Sequence, residues 1–387
     1  MQIRRYLLLF HLPLVAFAGL YGGGLFLERS FREGMSPAEV VDYQTAQAIE
    51  ENRYCLFLSG LHSQEFLYKL ALYEKWKPDI LVLGSSRVLQ LRAAFFSRTM
   101  VNAGRAMPSL HGGYHFLARA LEIAPPKLLI IGLDSWWFNA AAQEPRVPIE
   151  EPDWSNKNQS NPAMKLIFKI IRGEIGGESL ALAELRCHVG VSAIRHNTGF
   201  DAYGSFWYTD LIVGDRSSAD TGFGDTLDRI EQGHKRFQYG GAVAEAHLSN
   251  LRKIIDLAES AGVEVRLFLP PFAQPIAARF EEMRDNYGYF FELRRRLVEE
   301  FGALDFSDPA ALRAEGCEFI DGFHGGPVVY ARVLQKMAEQ PGFPRNMLAS
   351  DVIDRVALMT GQVSFDLQRV TDRRRIDFLQ LGCPSPQ

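Results

Sequence analysis

The stretch Ile80-Leu81-Val82-Leu83-Gly84-Ser85-Ser86-Arg87 says most about the fold of this 387-residue chain. Four consecutive apolar residues followed by a glycine and two serines are typical of a fully buried strand that ends in a tight turn. Residues 127–132 and 263–269 are predicted as two further strands, and helical patterns separate them. Buried strands that alternate with helices predict an α/β fold with a mostly parallel sheet.

The rest of the chain is assigned from periodicity and turn residues. Helices are predicted within 36–76, at 110–123, 247–261 and 277–301, and from Pro327 to about Ala338. The other predicted segments are a short strand end or turn at 101–104, an exposed loop at 141–165, a surface insertion at 197–235 and a short strand or turn at Asp305.

The N-terminal segment predicts export. Arg4 and Arg5 precede the apolar run Tyr6–Leu27, and about 20 apolar residues suffice for a helix to cross a bilayer. The basic pair favours a cytoplasmic N-terminus, which implies a single-pass anchor in the cytoplasmic (inner) membrane and a periplasmic or extracytoplasmic domain. Ala16-Phe17-Ala18 also matches a signal-peptidase site, so a cleaved signal peptide is the alternative. The apolar run continues past that site, which favours the anchor.

Composition bounds the class of protein. The hydrophobic share of 47% and charged share of 23% are ordinary for a folded domain, and the net charge of −4 gives no reason to expect nucleic acid. No CxxC pair is present, so no zinc site is expected. A single disulfide, for example Cys187 with Cys317, is compatible with an oxidising compartment, but the sequence does not choose a pairing.

Ser86 and the later segment Asp321-Gly-Phe-His324 carry the candidate chemistry. A serine hydroxyl needs a neighbouring base, and a histidine base needs a carboxylate that holds its tautomer. The segment is expected to open a helix, which would place Asp321 and His324 one turn apart. A lone Gly-Ser-Ser is usually a turn, and a lone Asp-x-x-His is often a helix cap. Their combination indicates a nucleophilic serine in this turn, Ser86 or Ser85.

The order of these blocks resembles that of the SGNH (GDSL-like) hydrolase superfamily over residues 78–340. Leu81–Ser86 matches its first block, Asn102-Ala103-Gly104 its second, and Asp321 with His324 its last. The resemblance implies that Ser86 is the nucleophile, His324 the base and Asp321 the orienting acid.

One branch of the superfamily is the most similar. It comprises anchored, exported proteins, including those of teichoic-acid D-alanylation and alginate-type O-acetylation. The Ser-Ser variant, the apolar N-terminus, Pro270-Pro271 and Trp136-Trp137-Phe138 carry this closer resemblance.

The predicted oxyanion site departs from the family. The resemblance implies backbone N–H donors at Ser86 and Gly104, with Asn102 in the same oxyanion or substrate set. The family's third block is Gly-x-Asn-Asp, whose asparagine also donates, but the matching stretch here is Gly132-Leu133-Asp134-Ser135. An ionised aspartate only accepts hydrogen bonds. Losing one such donor typically costs about 100-fold or more in rate.

Several side chains are candidates for the oxyanion or the substrate. The missing oxyanion donor would be replaced by the Asn139 side chain or by an indole N–H of Trp136 or Trp137. The alternative is an oxyanion site with only two donors. For each tryptophan there are two expected roles: it stacks on a sugar ring, or it belongs to the hydrophobic core. Arg87 either binds an anionic group or forms an ion pair at the surface. The basic run Arg373–Arg375 is interpreted as a solvated face.

The resemblance also sets predicted boundaries. They are an anchor at 1–28, a linker and helical segment at 29–77, a three-layer, flavodoxin-like domain with helices on both faces at 78–345, an insertion at about 141–240, and a tail at 346–387.

The implied function is that of an extracytoplasmic serine acyl-esterase or O-acyltransferase. It would act through an acyl-serine on an acyl group, expected to be acetyl, of a cell-surface or exported polysaccharide. A multi-spanning membrane O-acyltransferase is the implied partner, and no metal or cofactor is required. Two alternatives remain: a general secreted esterase or lipase, and a non-catalytic polysaccharide-binding or assembly protein, which the aspartate at position 134 favours.

Overall fold

The computed structural model describes residues 2–50, 54–61, 65–141, 161–214, 216–361, 363 and 377–383. It confirms the α/β prediction, with a five-stranded parallel sheet flanked by helices. The helices are α1 (Gln2–Phe31), α2 (Pro37–Glu50), α3 (Glu65–Trp76), α4 (Leu110–Ile123), α5 (Pro162–Ile171), α6 (Gly177–Leu185), α7 (Val191–His196), α8 (Thr209–Ile212), α9 (Gly224–Gln232), α10 (Glu245–Ser260), α11 (Gln274–Glu282), α12 (Gly288–Phe301), α13 (Pro327–Ala338) and α14 (Ser350–Ala357). The strands are β1 (Ile80–Gly84), β2 (Met100–Gly104), β3 (Leu128–Gly132), β4 (Gly199–Phe200), β5 (Phe206–Trp207), β6 (Glu264–Leu269), β7 (Leu304–Asp305), β8 (Phe319–Asp321) and β9 (His324–Gly325).

The sheet explains where the site lies. Its strand order is β2-β1-β3-β6-β7, and all neighbours are parallel. Counted within this sheet alone, the order is 2-1-3-4-5, the flavodoxin-like arrangement, in which ligands bind beyond the carboxyl ends of the strands, at the switch point between the first and third strands. Ser86 follows β1 at that point.

Burial explains why these segments form the sheet. Every residue of β1, β2 and β3 is buried, and the three strands consist almost wholly of apolar residues and glycine. Strands covered on both faces need such near-continuous apolar runs. The stretch 101–104, predicted as a short strand end or turn, is part of the full strand β2 because it pairs with β1 along its whole length, from Met100 to Gly104.

Two predicted segments differ from the structure. The helix predicted at 277–301 is divided into α11 and α12, because Tyr287 adopts non-helical torsion angles between them. Its buried hydroxyl donates to the carbonyls of Ile230 (2.8 Å) and Phe237 (2.7 Å), which fixes the break. The segment 197–235 contains helices and buried polar residues, among them Asp220, rather than a surface insertion alone.

The chain forms two compact units. The sheet belongs to the unit made of Glu65–Val147 and Tyr203–Gln387, which therefore includes α3 and much of the predicted tail. The other unit is made of Met1–Gln64 and Pro148–Ala202. Part of the predicted loop at 141–165 lies outside the described residues, as do Arg373–Arg375.

Helix α1 has the length and composition of a membrane span. The apolar segment Phe10–Phe31 has a mean hydropathy of 1.5, and only 11% of its apolar window is buried. Its side chains are exposed from Phe10 to Leu20, whereas Leu27 and Phe31 are buried within the same unit. A signal sequence has the same length and composition, so these properties fit an anchor and a signal sequence equally.

Two disulfides correct the expected single bond. Cys55 pairs with Cys187, and Cys317 pairs with Cys383, so the pairing of Cys187 with Cys317 offered as an example is wrong. Each bond lies within one of the two units. Disulfides of this kind are typical of proteins in oxidising compartments, which favours an extracytoplasmic domain.

Close packing at the end of β3 gives a first testable prediction. A Cβ at Gly132 would lie 2.3 Å from Val88 Cγ1 and 3.2 Å from Phe268 Cζ. Gly132→Ala should therefore lower the free energy of unfolding by about 1–3 kcal/mol, as overpacked cores do. Gly224→Ala is the matched control, because a Cβ there meets nothing within 4 Å. Denaturant unfolding checks both, and an unchanged midpoint for Gly132→Ala would contradict the packing.

Candidate active site

The turn that carries Ser86 is held by side chains on both sides. Ser86 begins a 3-10 helix, Ser86–Gln90, and the Ser85 hydroxyl caps it by accepting from the Arg87 N–H at 3.1 Å. The buried amide of Asn102 donates to the carbonyls of Val88 (2.8 Å) and Leu91 (3.0 Å). The hydroxyl of Ser86, which is partly exposed, is thereby fixed at the carboxyl end of the sheet.

Ser86, His324 and Asp321 form one chain of hydrogen bonds. The Oγ of Ser86 lies 2.8 Å from Nε2 of His324, and Nδ1 of His324 lies 2.7 Å from Oδ2 of Asp321. With its proton on Nδ1, the imidazole donates to the carboxylate and accepts from the serine hydroxyl. This is the geometry in which a histidine can remove a serine proton.

The Asp321 carboxylate is organised by its own loop. Its Oδ1 accepts the N–H groups of Phe323 and His324, both at 2.9 Å. Burial would raise the pKa of Asp321, but the His324 imidazole and these two N–H groups outweigh it and hold the pKa below its usual value. The carboxylate is therefore ionised at neutral pH and can stabilise a charged imidazole.

The local structure that joins the acid and the base is a hairpin, which corrects the predicted helix. Strand β8 ends at Asp321 and strand β9 begins at His324, so the two residues face each other across an antiparallel turn. Helix α13 begins only at Pro327. The three-residue spacing brings the side chains together through this turn rather than through one turn of helix.

Asp220 supports this hairpin, and the sequence analysis missed it. Its Oδ2 accepts the Gly322 N–H and the Thr226 hydroxyl, both at 2.7 Å, and its Oδ1 accepts the Thr226 N–H at 2.8 Å. Asp220 is 5% exposed. No spacing or motif distinguishes an aspartate 102 residues before its partner, so the pattern of residues alone offered no signal.

Arg87 is buried, so the predicted ion pair at the surface is wrong. Its side chain is 1% exposed. Its Nε donates to the Phe323 carbonyl and its Nη2 to the carbonyls of Pro270 and Pro271, each at 2.8 Å, while its Nη1 lies 3.5 Å from Oδ1 of Asp134. The guanidinium therefore ties the serine turn to the histidine hairpin and to the loop after β6.

Asp134 is buried behind the site. The side chain is fully buried, and its Oδ2 has no hydrogen-bond partner among the described residues. Burial raises the pKa of Asp134, although Arg87 and the Ser85 hydroxyl act in the opposite direction. A fully buried carboxyl does not reach a substrate, so its role in this structure is to pair with the guanidinium.

The backbone donor expected at Gly104 is engaged elsewhere. Its N–H donates to Oδ1 of Asn102 at 2.8 Å. A Cβ at this position would lie 2.7 Å from Leu89 Cδ2, so the glycine is required for close packing against the serine turn. Gly104 and Asn102 thus brace the turn, and the Gly104 N–H is already engaged in this structure.

The three proposed replacement donors are also engaged or buried. The Asn139 amide donates to the carbonyls of Gln238 (2.7 Å) and Tyr239 (3.4 Å), and the Trp137 indole donates to the Pro108 carbonyl (3.0 Å). Trp136 is 9% exposed and packs edge-on against Phe323 and Phe237. Both tryptophans therefore belong to the hydrophobic core, and neither forms an open platform for a sugar ring.

The comparisons with known proteins add no family. No protein-family model matches the chain, and no curated protein is significantly similar to it in sequence. The SGNH resemblance therefore stays a prediction that rests on the residues quoted above.

The buried pair behind the site generates a second testable prediction. Arg87→Met would leave the Asp134 carboxylate buried and unpaired, a change that typically costs about 3–5 kcal/mol. The double variant Arg87→Met with Asp134→Leu should recover part of that loss, because it removes the isolated charge. Denaturant unfolding of both single variants and the double variant tests this. Strictly additive losses would show that the two side chains are not coupled.

Proposed function

We propose that this protein is an extracytoplasmic serine acyl-esterase or O-acyltransferase. The hydrogen-bond chain from Ser86 Oγ through His324 to Asp321, with distances of 2.8 Å and 2.7 Å, is the observation that carries the proposal. A nucleophile, a base and an orienting acid that converge from distant segments of the chain at the carboxyl edge of the sheet favour covalent acyl transfer.

The residues would act in two half-reactions. The Ser86 oxygen forms a bond to the acyl carbon while its proton moves to Nε2 of His324, and Asp321 stabilises the resulting imidazolium. The tetrahedral intermediate then collapses, and the leaving alkoxide takes that proton. An acceptor hydroxyl repeats the sequence on the acyl-serine: it loses its proton to His324, attacks the acyl carbon and returns Ser86 to its neutral form. Water as acceptor gives hydrolysis, and a sugar hydroxyl gives transfer.

Stabilisation of the oxyanion is the weakest part of this machinery. The backbone N–H of Ser86 remains the proposed donor, while the Gly104 N–H already donates to Asn102. Each missing donor costs about 100-fold or more in rate. We therefore expect the enzyme to turn over slowly when its true acceptor is absent.

The substrate and location follow from the resemblance and from export. We propose an acyl group, most simply acetyl, on a cell-surface or exported polysaccharide, delivered by a multi-spanning membrane O-acyltransferase. Helix α1 would anchor the protein in the inner membrane with the serine site in the periplasm or its equivalent. The apolar exposure of α1 and the two disulfides support this placement.

A non-catalytic glycan-binding or assembly protein is the second candidate. The aspartate at position 134 and the engaged Gly104 N–H favour it, because both reduce the oxyanion donors. Such a protein would bind glycan equally well after Ser86→Ala. A general esterase, in contrast, would cleave a chromogenic acetyl ester rapidly, whereas a transferase would cleave it slowly and prefer a sugar acceptor.

The third prediction concerns the covalent intermediate. Incubation with an acetyl ester or a serine-directed phosphonate should add one adduct to the protein, detected by intact-mass spectrometry and mapped to Ser86. Ser86→Ala removes the nucleophile and His324→Ala removes the base, so both should abolish the adduct.

Ser85→Ala is the matched control for this experiment. It removes the neighbouring hydroxyl, which caps the turn, and should leave an adduct on Ser86. An adduct that persists in Ser86→Ala and is lost in Ser85→Ala would move the nucleophile to Ser85. The absence of any adduct, together with retained glycan binding, would replace catalysis by the binding function.

The fourth prediction tests Asp220 as a positioning residue. Asp220→Asn removes one of the carboxylate oxygens that hold Thr226 and Gly322, so His324 should shift from its position beside Ser86. The rate of phosphonate labelling should fall by about 100-fold, the typical cost of a small misplacement of catalytic groups. Asp228→Asn, the same change at an exposed aspartate, should leave the rate unchanged. Equal rates for both variants would show that the hairpin does not depend on Asp220.

A further inference from the structure

The buried side chain of Tyr330 contacts both segments of the candidate active site. Tyr330 lies in the first turns of helix α13, shortly after His324, and is fully buried. Its hydroxyl donates to the backbone carbonyl of Arg87, the residue that follows Ser86. On the other side of the ring, a Cβ at Gly325 would lie 3.4 Å from Cε2 of Tyr330. The ring therefore lies against the backbone next to the histidine.

The phenol is one of three links between the same two segments. Ser86 Oγ lies 2.8 Å from His324 Nε2, and Arg87 Nε donates to the Phe323 carbonyl at 2.8 Å. The Tyr330 hydroxyl adds a third link, to the main chain of residue 87. The residue before His324 thus accepts from the Arg87 side chain, while the helix after it donates to the Arg87 carbonyl.

The surroundings of Tyr330 keep the ring and its proton in place. The Phe268 ring of strand β6 packs edge-on against it, with 6.3 Å between the ring centroids. Burial raises the pKa of Tyr330 above its usual value, although the Arg87 charge acts in the opposite direction. The hydroxyl is therefore protonated at neutral pH and remains a donor. A buried carbonyl that loses its donor is destabilising, so this hydrogen bond resists separation of the two groups.

We propose that Tyr330 is a positioning residue that sets the distance between Ser86 Oγ and Nε2 of His324. This inference rests on the proposed serine chemistry. The aromatic ring acts as a rigid spacer, because its edge lies against the backbone at Gly325 and its hydroxyl holds the backbone at Arg87. Without the hydroxyl, the serine turn can shift relative to the histidine. A shift of about 1 Å between reacting groups can cost about 100-fold in rate.

Tyr330→Phe tests the proposal, because it retains the ring and removes only the hydroxyl. Labelling of the full-length protein by a serine-directed phosphonate would be followed over a range of phosphonate concentrations. This separates the dissociation constant of the reversible complex from the rate constant of covalent attack. We expect the attack rate constant to fall by about 10-fold or more. The dissociation constant should stay unchanged, because the hydroxyl bonds to the protein backbone and not to the phosphonate.

Tyr73→Phe is the matched control. Tyr73 is also fully buried, and its hydroxyl donates to a backbone carbonyl, that of Ala124, at 2.6 Å. Ala124 precedes strand β3, whereas Ser86 follows the parallel strand β1, so this bond lies at the opposite edge of the sheet. Both variants should lower the denaturation midpoint, since each leaves a buried carbonyl without its donor. Only Tyr330→Phe should slow the attack.

The possible outcomes separate the positioning role from stability and from the chemistry itself. Unfolded molecules would lower the final extent of labelling but not the rate constant of the folded remainder. An unchanged attack rate constant in Tyr330→Phe would overturn the positioning role and leave the serine chemistry intact. An equal loss in Tyr330→Phe and Tyr73→Phe would also overturn it, because reduced stability would then explain both. A wild type that is not labelled at all would reject the serine chemistry, and this inference with it.

Discussion

The Arg87 guanidinium is the interaction on which the candidate site depends. A buried cation must find acceptors for its N–H groups, and here the acceptors are backbone carbonyls from two distant segments, at Phe323 and at Pro270-Pro271, together with the Asp134 carboxylate. The adjacent Ser86 and the nearby His324 are consequently placed by the same side chain. Their alignment is a product of burial and hydrogen bonding in the interior.

The sheet was predictable because burial on both faces of a strand leaves a signal that is local in the sequence. Strands β1 and β3 are buried on both faces, so each needs an unbroken apolar run that can be recognised without knowledge of its neighbours. The candidate pair Asp321 and His324 was recognisable for a similar reason, since both residues lie in one short segment. Their link to Ser86, 238 residues away, was predicted from the resemblance and corresponds to an observed contact of 2.8 Å, whereas the roles of these residues in catalysis remain a proposal.

The supporting residues were not predictable, because their function depends on contacts between distant segments. Arg87 was expected at the surface or at a ligand, yet apart from Asp134 its partners are backbone carbonyl groups, which carry no signature in a sequence. Asp220 lies in a segment without periodicity and acts on Gly322 through a backbone N–H. Asn139 and Trp137 were chosen as donors by residue type, but each donates to a backbone carbonyl in the interior. Side-chain chemistry indicates what a residue can do, while the tertiary fold decides which partner it meets.

The disulfide between Cys317 and Cys383 has a consequence for the order in which the protein matures. Cys317 lies in the 3-10 helix Gly316–Glu318, immediately before the hairpin that carries Asp321 and His324. This covalent closure can form only after residue 383 has left the ribosome and reached an oxidising compartment. The hairpin thus receives its final constraint late in biogenesis, once the C-terminal segment is available. A chain kept in a reducing environment would lack this closure, so full assembly of the histidine segment depends on oxidising conditions.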